Sequence, residues 1–182
     1  MKIAMIRTSL LRGSGQVTHI RELSKNLILK GHEVEVFTRY LEADLNPIPV
    51  LKVKPPLNTV PFLRHFTFSA ALTRHIRKRR YDVVHTQYHP AIIAGGLVKI
   101  FNGIPHVFTF HGFAPVNVLR NPRQKLKTMD HTIGTFMALR LVNKVITVSH
   151  FLKRELEEHY LVEPDNIKVI YNGIDLERFH PN

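Results

Sequence analysis

The 182-residue chain has no cysteine, which excludes disulfides, thiolate nucleophiles and cysteine-held zinc or iron-sulfur centres. It has no long apolar run. The stretch Ile3 to Ile6 is broken by Arg7, too short for a signal-peptide core or a membrane-spanning helix, so a cytoplasmic protein is expected. No G-x-x-x-x-G-K-[ST] loop and no G-x-S-x-G elbow occurs, which sets aside phosphate-loop NTPases and serine hydrolases. No two aspartates are separated by a single residue, so a paired-aspartate metal-diphosphate signature is missing too. Negative charge is scarce: 14 Asp plus Glu face 26 Lys plus Arg, a formal net charge of +12. Such a balance favours an anionic partner, whether nucleic acid, acidic lipid or a phosphorylated substrate, without choosing among them.

Hydrophobic residues make up 44% and charged residues 22%, the proportions of a soluble globular chain, and the length suits one domain. Lys2 to Arg7 predicts a strand, followed by the glycine loop Gly13-Ser14-Gly15. Val17, Ile20, Leu23 and Leu27 recur at helical spacing, and Gly31 stands where a left-handed helix cap belongs. A strand is predicted over Glu33 to Thr38. The proline-bearing stretch from Leu41 to Pro61 must be mostly extended, with a short strand at Val50 to Lys54. A helix carrying Leu63, Phe66, Ala70 and Ile76 follows. The alternation then continues with strands at Asp82 to Thr86, His106 to Phe110, Lys144 to Val148 and Ile167 to Tyr171. Helices fall between them near Ala91 to Phe101, Gln124 to Val142 and Phe151 to Tyr160. This pattern predicts an α/β fold, a doubly wound, mainly parallel sheet with helices on both faces.

Ligands of such sheets bind beyond the carboxyl ends of the strands, which singles out the residues just after each one. Gly13, Ser14 and Gly15 leave two readings open: a cradle for phosphate at a helix N-terminus, or a tight turn. The dinucleotide fingerprint would want a small residue where Thr18 stands and a loop starting at the strand end, so it fits poorly. His111, followed by Gly112, is either a satisfied structural histidine or a group facing a cleft. His85, Gln87, His89, Ser149, Asn172 and Gly173 are further cleft-lining candidates. His85 and His89 are four apart, but without a third ligand no metal site is expected. Arg74, Arg77, Lys78, Arg79 and Arg80 crowd one helix end, where they complement the macrodipole. A second basic set, Arg120, Arg123, Lys125 and Lys127, mixes with Val116, Val118, Leu119 and Leu126. It suits an anionic acceptor, peripheral contact with an acidic membrane, or an ordinary loop.

Five segments in order carry a resemblance: Arg12-Gly13-Ser14-Gly15-Gln16-Val17 to Lys30-Gly31-His32-Glu33-Val34; Tyr81-Asp82-Val83-Val84-His85; Thr109-Phe110-His111-Gly112; Val145-Ile146-Thr147-Val148-Ser149; and Val169-Ile170-Tyr171-Asn172-Gly173-Ile174-Asp175, with Arg178-Phe179-His180-Pro181. Together they resemble the N-terminal, acceptor-side domain of retaining family 4 glycosyltransferases of the GT-B type. The resemblance implies a Rossmann-like half that works with a C-terminal donor-binding domain, in cis or as a separate chain. It implies transfer from a UDP-, GDP- or ADP-sugar to a sugar or lipid-linked acceptor, without metal or other cofactor. His111 would contact the transferred sugar, and Gly13, Ser14 and Gly15 would lie near donor phosphates or acceptor. By that resemblance the sequence stops near the interdomain linker, so little activity is expected from the chain alone. Homodimer formation through an apolar patch left bare is expected as well.

Two alternatives stay open. One is a non-catalytic interaction module derived from such an enzyme. The other is an NADP-binding Rossmann protein using Gly13, Gly15 and Arg39. A nucleic-acid role has only charge behind it and is not expected.

Overall fold

Strands buried on both faces must be apolar at consecutive positions, and Ile3, Ala4, Met5 and Ile6 meet that demand. The computed structural model describes residues 1–55, 61–87, 89–112, 121 and 133–174, and the side chains of the helix that begins at residue 61 from residue 67 onward. Its elements run β1 (Lys2–Ile6), β2 (Ser9–Leu10), α1 (Gly15–Leu29), β3 (Glu33–Thr38), β4 (Tyr40–Leu41), β5 (Val50–Lys52), α2 (Pro61–Arg77), β6 (Val83–Gln87), α3 (Ala91–Asn102) and β7 (His106–Phe110). Helix α4 follows over residues 133–139, then β8 (Lys144–Thr147), α5 (His150–Tyr160) and β9 (Ile167–Val169).

Seven strands form one sheet in the order β5-β3-β1-β6-β7-β8-β9, and each neighbouring pair is parallel. The fold is the expected doubly wound α/β domain. Chain order reverses at β1, which pairs with β3 on one side (Met5 opposite Val36) and β6 on the other (Met5 opposite His85). Alternation along β1 divides the core. Ile3 and Met5 pack with Val17 and Ile20 of α1. Ala4 and Ile6 pack with Phe68, Leu72 and Ile76 of α2 and Ala94 and Val98 of α3. A third cluster joins Phe108, Phe110 and Val145 to Leu139 of α4 and Leu156 and Tyr160 of α5.

Helix α1 ends as its sequence demands. Gly31 has φ +82°, its N–H donates to Ile28 O at 2.9 Å, and the His32 N–H donates to Leu27 O at 3.1 Å. That double bond pattern is the Schellman closure, which requires a left-handed residue. The interval between Ile6 and Gly13 holds β2, which pairs with β4 in a separate two-stranded ladder. The periodicity did not disclose this ladder, because two residues carry no alternation. Strand β5 stops at Lys52 and β9 at Val169, each two residues short of expectation. The helix predicted near Gln124 to Val142 appears as residues 133–139, and its earlier part lies outside the described residues. Just past the end of α2, Arg79 stays solvent-exposed while pairing with Glu35 of β3 at 2.7 Å.

Helix α3 packs tightly at two glycines, Gly95 against β6 and β7 and Gly96 against Leu141. A Cβ on Gly95 would lie 2.3 Å from His106 Nε2 and 2.5 Å from Thr86 Cγ2, and one on Gly96 would lie 2.7 Å from Leu141 Cδ1. Both neighbours of Gly95 are held in place, since Thr86 Oγ1 and His106 Nε2 are hydrogen-bonded at 2.6 Å. Alanine would gain up to about 1 kcal/mol of helix propensity at an open site. Overpacking here costs about 1 to 3 kcal/mol or more, so the clash decides the sign. Gly95→Ala is therefore expected to lower the urea unfolding midpoint. A raised midpoint would show that α3 can move off the sheet freely.

Candidate functional site at the carboxyl edge of the sheet

The carboxyl ends of β1, β6 and β7 converge where chain order reverses, and their end residues face the N-terminal turns of α1. His111 follows β7 directly. Its Nε2–H donates to Gln87 Oε1, at the end of β6, at 3.2 Å, which leaves Nδ1 with a lone pair when the ring is neutral. The ring of His19, from α1, meets that of His111 edge-on, with centroids 4.9 Å apart and planes at 82°. His19 is in turn hydrogen-bonded through Nδ1 to Asn172 Oδ1 at 3.1 Å. Arg7, just past β1, is 8% exposed and its Nε donates to Ser9 O at 2.8 Å.

This environment keeps the imidazoles neutral. Burial, with His19 and Arg7 beside it, pushes His111 down to about 4. His19 is also lowered by burial, an effect partly opposed by its bond to Asn172. At neutral pH His111 therefore carries no charge. It can accept a hydrogen bond from a ligand hydroxyl through Nδ1, but it does not serve as a cation.

Gly13 and Gly15 border the site. Gly13 has φ +72°, and neither glycine has any atom within 4 Å of where a Cβ would stand, so the space over the loop is open. Ser14 is the N-cap of α1 through its backbone, with its carbonyl accepting from Val17 N at 2.9 Å and Thr18 N at 3.2 Å. The first turn of α1 has no acidic residue, and its leading amides point out of the helix as a ready anion-binding end. Gly112 is required twice over: φ is +85°, and a Cβ would lie 3.0 Å from Leu152 Cδ2.

The remaining sequence candidates divide. Asn172 belongs to the site through His19, and Gly173 is exposed beside it. Ser149 caps α5, its Oγ accepting from Leu152 N at 3.2 Å. His85 and His89 are each 7% exposed. His85 lies under α1 with Nε2 bonded to Thr109 Oγ1 at 2.7 Å. His89 packs against Gly134, where a Cβ would come within 2.7 Å of its Nε2. Strand β6 ends at Gln87, so the four-residue spacing of these two histidines spans a strand and a turn rather than one helix face. Arg120, Arg123, Lys125 and Lys127 lie outside the described residues.

Sequence reasoning missed Arg7 and His19. His19 carries a usable signal, since it stands four residues before Leu23 and so borders the buried stripe of α1 at the end nearest the glycine loop. Arg7 looked only like the end of a strand. A depression of about 380 Å³ lined by Thr67, Ala70, Ala71, Arg74, His75 and Lys78 belongs to α2, whose C-terminal end leads into the amino end of β6. It is therefore not part of this cleft. No helix among the described residues is long and apolar enough to cross a membrane.

A parallel sheet of this order, with an open glycine loop and a histidine at its switch point, defines the Rossmann-like class of ligand-binding α/β domains. Within that class, residues 13–178 match the family model described as Glycosyltransferase Family 4, and the chain belongs to that family. It is 30% identical over 185 residues to a D-inositol 3-phosphate glycosyltransferase of Pseudarthrobacter chlorophenolicus, a match covering 92% of this chain and 44% of the relative. The chain thus spans less than half the length of that relative. Among solved structures, Anabaena Alr3699/HepE in complex with UDP-glucose superposes with a TM-score of 0.69 at 19% identity, over 97% of this chain and 45% of that one. The UDP-GlcNAc 2-epimerase of Methanocaldococcus jannaschii superposes with a TM-score of 0.65 at 16% identity, over 93% and 45%. Likeness at that level concerns the fold, which here serves more than one reaction.

Buried neutral histidines predict an unusual pH response. Burial lowers His85 to about 3, helped by His19, His106 and His111, and lowers His106 to about 4, helped by Lys99 and opposed by its bond to Leu141. Both values lie below the unfolded value of about 6.5, so the stability they support is complete above that pH and is lost as pH falls towards 4. At about 1.4 kcal/mol per unit, urea unfolding is expected to show a loss of about 2 to 4 kcal/mol between about pH 7.5 and about pH 5. Equal midpoints at the two pH values would mean that these rings are solvated.

Proposed function

We propose that the chain is the acceptor-side half of a retaining, metal-independent glycosyltransferase that moves a sugar from a nucleotide-diphosphate sugar to an acceptor hydroxyl. The observation that carries this reading is the placement of His111. A neutral imidazole, fixed by Gln87, stands at the switch point beside the open N-terminus of α1. The lone pair on Nδ1 suits a sugar hydroxyl, and the α1 amides with their aligned dipoles suit a diphosphate. In transfer, the bond between the anomeric carbon and the diphosphate oxygen breaks, a bond to the acceptor oxygen forms, and the acceptor proton passes to the departing diphosphate. Charge grows on the departing diphosphate, so groups aimed at that oxygen lower the barrier.

Family membership supports this reading. So do the glycosyltransferase named among the relatives and the UDP-glucose held by the Anabaena neighbour. Coverage of 44% of that relative accords with a second domain, joined in cis or supplied as a separate chain, that holds most of the donor. The +12 charge favours an acceptor that bears phosphate or rests on an anionic surface.

Calorimetric titration of the purified chain with nucleotides and nucleotide sugars is expected to show no tight binding. Addition of a family 4 donor-binding domain is expected to restore transfer, and His111→Ala in that pair to lower kcat about 100-fold. Tight binding of a nucleotide sugar to the chain alone would assign the donor site to this half and overturn the division of roles. Unaltered kcat in the variant would remove His111 from the chemistry.

A further inference from the structure

Three segments distant in sequence meet at one imidazole. His19 lies beside Ile20, which is fully buried in α1, so the helix sets its ring at the carboxyl edge of the sheet. Its Nδ1–H donates to Asn172 Oδ1, 153 residues away in sequence, at 3.1 Å. That places the proton on Nδ1 and the lone pair on Nε2, which is buried and has no hydrogen-bond partner among the described residues. The same ring stands perpendicular to His111.

The geometry at His111 needs that second contact. One hydrogen bond, from Nε2 to Gln87 Oε1, fixes one point of the ring but leaves the plane free to swing about the bond. A perpendicular ring packed 4.9 Å away, centroid to centroid, blocks the swing. Asn172 completes the chain of constraint from outside. It is exposed, in the segment that follows β9, between Tyr171 and Ile174, which are 64% and 65% exposed.

We infer that His19 is a positioning residue for His111, and that Asn172 holds His19 in place, so that the segment after β9 sets the plane of the imidazole at the cleft. This rests on the reading of His111 as the group that meets the ligand. A change in the course of that segment, such as a ligand or a neighbouring domain would impose, reaches His111 through two side chains rather than through the sheet. The groups facing the pair are His85 below, Arg7 beside His111, and Asn172 above His19. Burial keeps both rings neutral, which spares the pair the repulsion of two imidazolium ions.

The test is a long-range proton–nitrogen NMR spectrum of the imidazoles of the chain at neutral pH, which reports the tautomer of each ring without any substrate. Asn172→Ala is expected to lower the Nδ1–H population of His19. It should also shift the tautomer ratio of His111 roughly twofold or more, although Asn172 is hydrogen-bonded to His19 rather than to that ring. His19→Ala should shift His111 likewise. His19→Phe, which keeps a perpendicular ring, should restore the wild-type ratio, and adding Asn172→Ala to it should change nothing further. If the His19 signals move in Asn172→Ala while those of His111 stay, the coupling does not exist. A His111 shift in His19→Phe as large as in His19→Ala would also overturn it. Should His19→Ala unfold the chain, the exposed Asn172→Ala site carries the test alone, with unchanged amide signals in β3 and α2 confirming the fold. A failure of His111→Ala to affect transfer bears on the functional reading and leaves these spectra as they are.

Discussion

Strand β1 is hydrogen-bonded on both sides, to β3 and to β6, and all the strands beside it run in its direction. A parallel neighbour can be reached only by a crossover, and right-handed crossovers from a central strand must place their helices on opposite faces as the chain moves first one way and then the other. The order β5-β3-β1-β6-β7-β8-β9 is that movement written out. The gap it leaves above β1 and β6 is where α1 begins, where His111 stands and where Arg7 is buried. The site is thus a consequence of strand order before it is a consequence of any side chain.

What the sequence disclosed follows the length of the signal. Strands β1, β3, β6 and β7 have five or six residues, enough for the apolar run of a doubly covered strand to stand out. Gly31 was legible because a left-handed cap leaves few choices of residue. The two-residue ladder of β2 and β4 was not, and neither was the reach of Asn172 to His19. That contact joins the segment after the last strand to the first helix across 153 residues, a tertiary fact with no local periodicity. Among the candidate residues, Gln87, His111 and Asn172 come together as a set. Ser149, His85 and His89 instead serve a helix cap and buried packing, because the same residue types that line clefts also satisfy backbone and strand neighbours.

The histidines show how burial chooses chemistry. Three imidazoles, His19, His85 and His111, lie near or under the carboxyl half of the sheet and a fourth, His106, opens β7 at the amino end, each lowered mainly by desolvation. Hydroxyls of Thr109 and Thr86 partner His85 and His106, where a carboxylate would have drawn them towards the charged form. Neutral rings of this kind suit hydroxyl groups better than anions.

Strand length also shapes how the molecule meets its own copies. Both outer strands of the large sheet, β5 and β9, are three residues long. The first is preceded by Pro49 and followed within three residues by Pro55, which has no backbone N–H to offer. A sheet with such brief, interrupted borders presents a poor template for another chain to extend. Crowded or partly unfolded molecules would therefore stick through side chains such as Phe101 and Phe151, both 68% exposed, and such contacts are reversible by dilution where an extended cross-chain ladder is not.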